Sequence, residues 1–97
     1  MTAYVIFEVT IRDAERWNDF SRQLKPVLDA AGARYLVKGG IPRTHEGDWT
    51  PLRLSILEFP SRETLDRFYD GADYQRLIAL RNEFSSARFV SVEGLPT

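Results

Sequence analysis

The sequence predicts an α+β fold in which two helical segments cover one face of a four-stranded antiparallel sheet. Three observations predict it: apolar residues recur with a two-residue period in four runs, with a helical period in two stretches, and the two kinds follow one another as β-α-β-β-α-β. Residues 1–97 are expected to form one domain, because 97 residues are close to the common domain size.

Each element has its own signal. Between Ala3 and Ile11, Val5, Phe7, Val9 and Ile11 form an apolar face, and Tyr4, Ile6, Glu8 and Thr10 a mixed one, which predicts a strand. Asp13 suits a helix N-cap, and Trp17, Phe20, Leu24, Val27, Leu28 and Ala31 form the stripe of a helix that stops at Gly32. Pro26 lies within that stripe and predicts a kink or a broken turn. Arg34 to Lys38 reads as a second strand ending at Gly39-Gly40, with Tyr35 and Val37 on one face and Leu36 opposite. A connection of about a dozen residues follows, long for so small a domain. Leu52 to Phe59 is the third strand, with Leu52, Leu54, Ile56 and Glu58 on one face and Arg53, Ser55, Leu57 and Phe59 on the other. Ser61 caps the second helical segment, whose buried face is expected to be Leu65, Phe68 and Tyr69. Asp70-Gly71 breaks the segment, and a further helix begins near Asp73 with Tyr74, Leu77, Ile78, Arg81 and Phe84 in helical register. Ala87 to Glu93 closes the order as the last strand, with Val90 and Val92 expected inward.

This order is the ferredoxin-like split βαβ arrangement, and right-handed crossovers put the helices on one side of the sheet. The other side would then expose Tyr4, Ile6 and either Leu52, Leu54 and Ile56 or Leu57 and Phe59. An apolar face of that size calls for a partner, and a homodimer packed sheet on sheet is the expected answer.

Composition narrows the function classes. A formal charge of −1 gives no electrostatic case for nucleic acid or anionic membrane as partner. The sequence holds no Cys, hence neither a thiol nucleophile nor a thiolate metal site. No run approaches the ~18 apolar residues of a membrane span, and the N-terminus lacks a basic leader, so a soluble, cytoplasmic protein is expected. Phosphate-binding glycine loops and a Gly-x-Ser-x-Gly elbow are missing from the sequence.

Several short motifs fall in a familiar order: Lys38-Gly39-Gly40, Glu46-Gly47-Asp48-Trp49, Arg53, Glu58-Phe59-Pro60-Ser61, Tyr74 with Arg81, and Val92-Glu93-Gly94. Together they resemble the domain-of-unknown-function 1330 family, over nearly the whole chain from Tyr4 to Gly94. The resemblance implies the dimeric α/β-barrel superfamily of ferredoxin-like proteins, and no settled activity. Relatives in that superfamily include cofactor-free monooxygenases, muconolactone isomerases, haem-dependent enzymes and stress-responsive proteins, with sites between the sheet and the helices of each subunit. The family usually carries Arg where this chain has Lys38, which offers a point charge in place of a planar fork.

Against that background the candidate chemistry is specific. A carboxylate facing an apolar cleft gains proton affinity and can act as a base near neutrality. Glu58 is the candidate base; its other reading is a paired or solvated strand-end carboxylate. Glu8 has the same two readings, and Arg53 is a possible cross-strand partner for it. Lys38, Gly39 and Gly40 would present a cation and backbone donors to a ligand anion, or else form a turn. Trp49, with Glu46 and Asp48, would close over a cleft or contact a second subunit. Tyr74 and Arg81, seven residues apart on one helical face, would point into the cleft, or Tyr74 would only cap the helix break. His45 stands alone, so a metal or base role is set aside for a solvated loop position. The expected function is a small-molecule-binding protein or a cofactor-independent enzyme, abstracting a proton or adding oxygen beside a carbonyl. Its substrate-binding residues would be Lys38, Gly39, Gly40, Trp49, Arg53, Tyr74 and Arg81. The alternative is a non-catalytic dimeric binding protein. No cofactor or metal is expected.

Overall fold

The alternating run at the N-terminus forms strand β1 (Ala3–Ile11), and its Ala3, Val5, Phe7 and Val9 point into the core. The computed structural model describes residues 1–96. Helix α1 (Ala14–Ala30) follows, with the Asp13 side chain accepting from the Arg16 amide as the N-cap. Strands β2 (Arg34–Gly40) and β3 (Leu54–Phe59) come next, then helices α2 (Arg62–Asp70) and α3 (Ala72–Arg81), and strand β4 (Ser85–Glu93). The sheet order is β2-β3-β1-β4 with every pair antiparallel, the ferredoxin-like arrangement read from the sequence. Among the described residues no helix is long and apolar enough to cross a membrane.

The core lies between one sheet face and the helices. Val5, Phe7, Leu57 and Phe59 from the sheet meet Phe20, Leu24 and Leu28 of α1, Leu65 and Phe68 of α2, and Tyr74 and Leu77 of α3. Val5, Phe20, Phe59 and Leu77 are fully buried, and each such side chain contributes about 1.5–3 kcal/mol. Alternation then sends Tyr4, Ile6 and Glu8 of β1 and Leu54, Ile56 and Glu58 of β3 to the opposite, open face.

Several local expectations change. Helix α1 passes through Pro26 to Ala30 without interruption. A proline removes only one helical hydrogen bond, and buried Leu24 and Leu28 on either side hold the turn in place. Ala31, expected in the stripe, is the C-cap. Strand β2 runs on through Gly39-Gly40, with register shifts against β3, and β3 begins at Leu54 rather than Leu52. Ile11, placed with the apolar face of β1, is exposed, and so is Tyr69 in part. Val90 and Val92 point away from the helices, 60% and 56% exposed. Facing the helices in their place are Ala87 and Phe89, which pack on the core.

Candidate functional site

The structure distributes the candidate residues over three places. Glu58 stands on the open face, opposite Tyr4 in the β1–β3 register and Arg34 in the β2–β3 register. Arg34 holds it with two hydrogen bonds, Nε to Oε1 at 3.1 Å and Nη2 to Oε2 at 3.3 Å. The bidentate geometry raises the Arg34 pKa, chiefly through that hydrogen bond. Glu58 is thus paired with a largely exposed Arg34 on the side away from the helices, the strand-end pairing that was its other reading.

The Lys38-Gly39-Gly40 corner is satisfied internally. The Gly39 amide donates to Ser55 Oγ at 2.9 Å, and its carbonyl accepts from Arg53 Nη1 at 3.2 Å. The Gly39 amide, one of the backbone donors expected to meet a ligand, is therefore occupied. The glycines have a local reason: Gly39 adopts φ +62°, and a Cβ on Gly40 would lie 2.8 Å from Val37 Cγ1. Lys38 Nζ sits 5.1 Å from the centre of the Tyr35 ring. Arg53 is spent on this corner and does not meet Glu8, whose register partners are Leu54 on β3 and Arg88 on β4.

Tyr74 and Arg81 come together in the interior. Arg81 is 6% exposed. Its Nη1 donates to the Tyr74 hydroxyl at 3.1 Å, its Nη2 reaches Asn82 Oδ1 at 3.5 Å, and its Nε has no partner. None of the ion pairs among the described residues includes it. The guanidinium lies 5.5 Å from the centre of the Phe7 ring. Around the pair runs a series of touching rings: Phe68 and Tyr69 against Tyr74, Phe89 against Tyr74 and Phe7, and Trp17 against Phe7. Burial pushes the Tyr74 phenol up, and neighbouring Arg81 opposes part of that rise. Tyr74 therefore remains a neutral donor at physiological pH. Its only hydrogen bond among the described residues is the one it accepts from Arg81, so its own hydrogen is free to donate. A neutral phenol and a cation without a carboxylate can together hold an anion.

An open cleft between sheet and helices was the expectation, and the interior is instead nearly filled. The space bounded by Phe7, Phe20, Tyr35, Leu57, Tyr74 and Phe89 measures about 10 Å³, at the limit of what admits a single water. Of the rings lining it, Phe89 touches the partly exposed Tyr69 and Phe7 touches the half-buried Trp17.

Trp49 stands elsewhere, half exposed on the β2–β3 connection, where Thr44 Oγ1 donates to its carbonyl at 2.6 Å. With Asp48 it overhangs the open face near Glu8 and Arg88. Among the described residues no group of three His, Asp or Glu is placed to hold a metal ion, His45 included. Alternation along a single strand fixes neither of two features. Arg88 opposite Glu8 needed the β1–β4 register, and the rings of Phe7, Trp17 and Phe89 around Arg81 needed the face of each strand.

The comparisons agree with this architecture. The family model described as domain of unknown function (DUF1330) matches residues 2–95. No curated protein matches the sequence. Among solved structures, a protein of unknown function from Rhodopseudomonas palustris is similar at a TM-score of 0.75 and 17% identity, covering 99% of this chain and 84% of that one. A dimeric ferredoxin-like protein of unknown function from Jannaschia has a TM-score of 0.71 and 14% identity, with 97% and 100% of the two chains covered. SnoaB, a cofactor-independent oxygenase from Streptomyces nogalater, has a TM-score of 0.66 and 14% identity over 99% of this chain and 95% of its own. At these identities the likeness shows a shared fold.

Proposed function

The chain belongs to the DUF1330 family, a domain of unknown function, and for this member we propose a homodimeric small-molecule-binding protein whose Tyr74–Arg81 pair receives an anionic, conjugated aromatic ligand. One observation carries the reading: Arg81, 6% exposed, has an unpartnered Nε and no ion pair among the described residues. An uncompensated buried cation is costly in a structure that has no use for it. A phenolate or an enolate would supply the missing charge. Arg81 Nε and the Tyr74 hydroxyl would donate to its oxygen, and the rings of Phe7, Tyr69 and Phe89 would lie against its faces. The ligand enters by displacing half-buried rings beside the interior space.

Stabilising an enolate is also what proton abstraction or oxygenation beside a carbonyl requires, and one similar fold is that of a cofactor-independent oxygenase. In such a reaction Arg81 and Tyr74 would lower the substrate's own pKa, in place of a base role for Glu58. Non-catalytic binding is the second reading, favoured by the engagement of Glu58 with Arg34. The homodimer rests on the open face, where Tyr4, Ile6, Leu54, Ile56, Val90 and Val92 have no covering layer, and on the fold shared with a dimeric neighbour.

The test is a titration with a hydroxyanthraquinone, whose ionisation is read from its absorbance. The bound dye is expected to ionise at least one pH unit below the free dye. The shift should vanish in Arg81→Met, weaken in Tyr74→Phe and persist in Glu58→Gln. A dye that binds with unaltered ionisation, or a shift abolished only by Glu58→Gln, overturns the reading.

A further inference from the structure

The backbone of the Gly39 corner is satisfied within the chain, but the Lys38 ammonium is not. Lys38 is exposed, and none of the ion pairs among the described residues includes it. What lies beside it is an aromatic ring: Nζ is 5.1 Å from the centre of Tyr35, within cation–π range. That contact leaves N–H donors of the ammonium for a ligand.

A register shift in β2 creates this arrangement. Tyr35 pairs with Leu57 and Val37 with Ile56, so two steps along β2 match one step along β3. Leu36 is the additional residue of a β-bulge, and a bulge re-aims the side chains that follow it. In an unbroken strand Tyr35 and Val37 would share a face, as the sequence suggested, and Lys38 would point to the other. The bulge instead turns Val37 to the open face with Ile56 and brings Lys38 to the helix side with Tyr35 and Leu57. Tyr35 bounds the same interior space as Phe7, Tyr74 and Phe89, yet it is 37% exposed. It stands on an outer strand, so its side chain reaches from the interior to solvent. Burial pushes its phenol up, which keeps the hydroxyl a neutral donor at physiological pH.

We infer that Lys38 and Tyr35 form a selective rim of the interior site and recognise a carboxylate at the far end of the ligand. The inference rests on the Tyr74–Arg81 reading and narrows it. Phe7, beneath Arg81, is on β1, and Tyr35 is on β2, two strands away. Two strand spacings are roughly 10 Å, a span that fused rings bridge and a single ring does not. The substrate class is therefore a fused-ring aromatic hydroxy acid. Its ionised oxygen meets Arg81, its rings lie among Phe7, Leu57 and Phe89, and its carboxylate emerges at the edge of β2. There Lys38 Nζ and the Tyr35 hydroxyl donate to it. The rim is on the helix side of the sheet, so a second copy packed on the open face leaves it accessible.

The probes are 2-hydroxyanthraquinone, its 6-carboxylate and the methyl ester of that acid, titrated into the whole protein with affinity and dye ionisation read from absorbance. The acid is expected to bind about fivefold more tightly than the ester, the size of one exposed ion pair. High salt should shrink that preference. Lys38→Met should abolish it, while 2-hydroxyanthraquinone keeps its affinity and its ionisation shift. Lys38→Arg should retain the preference, and Tyr35→Phe should reduce it by removing one donor. Equal affinity for acid and ester, or a preference that survives Lys38→Met, overturns the inference and leaves the interior reading standing. An ionisation shift missing from every dye overturns the interior reading and this inference with it. A preference lost in Arg81→Met but kept in Lys38→Met would place the carboxylate on Arg81, which overturns the assigned rim.

Discussion

Replacing Arg81 by Met separates a ligand-binding cation from a structural one. The guanidinium has one short hydrogen bond, to a neutral phenol at 3.1 Å, a long one to Asn82 at 3.5 Å, and the Phe7 ring at 5.5 Å. A hydrogen bond from a charged donor contributes about 1.5–3 kcal/mol, and the ring contact about 0.5–2 kcal/mol. Against these stands the effective desolvation of a buried ion, several kcal/mol even after relaxation. No carboxylate offsets it. Met fills a similar volume, so little cavity is created. Buried charges replaced by apolar residues of like volume leave stability unchanged or raise it by about 1–4 kcal/mol. The expected result for Arg81→Met is therefore a gain of about 1–2 kcal/mol, read in urea or thermal unfolding. Each kcal/mol moves the Tm of a chain this size by about 4–8 °C. A loss of about 3 kcal/mol or more would refute the reasoning, because it would mean that the fold itself satisfies the cation. Tyr74→Phe sharpens the comparison. It removes the acceptor that Arg81 uses, so it should destabilise the parent and have little effect in the Arg81→Met background.

Two further outcomes follow from the same structure. Ile56→Asp places a charge in the middle of the open face without touching the helix-side core, and should convert a dimer into a folded monomer in sedimentation; unchanged sedimentation would refute the sheet-on-sheet assembly. Burial raises the Tyr74 phenol above the ordinary tyrosine value of 10.0, as it does Tyr35. The folded state thus holds these protons more tightly than the unfolded chain, and stability is fully present below pH 10 and falls as the pH rises beyond it. Tyr74→Phe should flatten that alkaline decline in pH-dependent unfolding, and an unaltered slope would contradict the assigned burial.

Much of the fold was legible because local signals agreed. The alternation of Ala3–Ile11 gave β1 to the residue, and the Asp13 and Ser61 caps form as their side chains suggest. Face assignment was harder where both faces look alike. In β4, Ala87 and Phe89 alternate with Val90 and Val92, so hydrophobicity does not choose between the pairs, and only packing against the helices does. Glu58 posed the same problem in another form. Its strand neighbours fixed which residues share its face, whereas its partnership with Arg34 depends on the β2–β3 register and its shifts. The Tyr74–Arg81 pairing could be read from helical spacing. The missing carboxylate around Arg81 could not, since it is a property of every element that packs there. Gly39 and Gly40 resembled a ligand cradle in sequence because a glycine needed for φ and a glycine needed for close approach look the same as one that exposes its amide.

A crystal soaked with a hydroxynaphthoquinone shows directly where an anionic aromatic binds. The predicted result is ligand density between the sheet and the helices, one oxygen within hydrogen-bond distance of Arg81 Nε and the Tyr74 hydroxyl, and at least one of the Trp17, Tyr69 and Phe89 rings displaced. Density seated beside Glu58 and Arg34 on the open face, with the interior still filled, would contradict it.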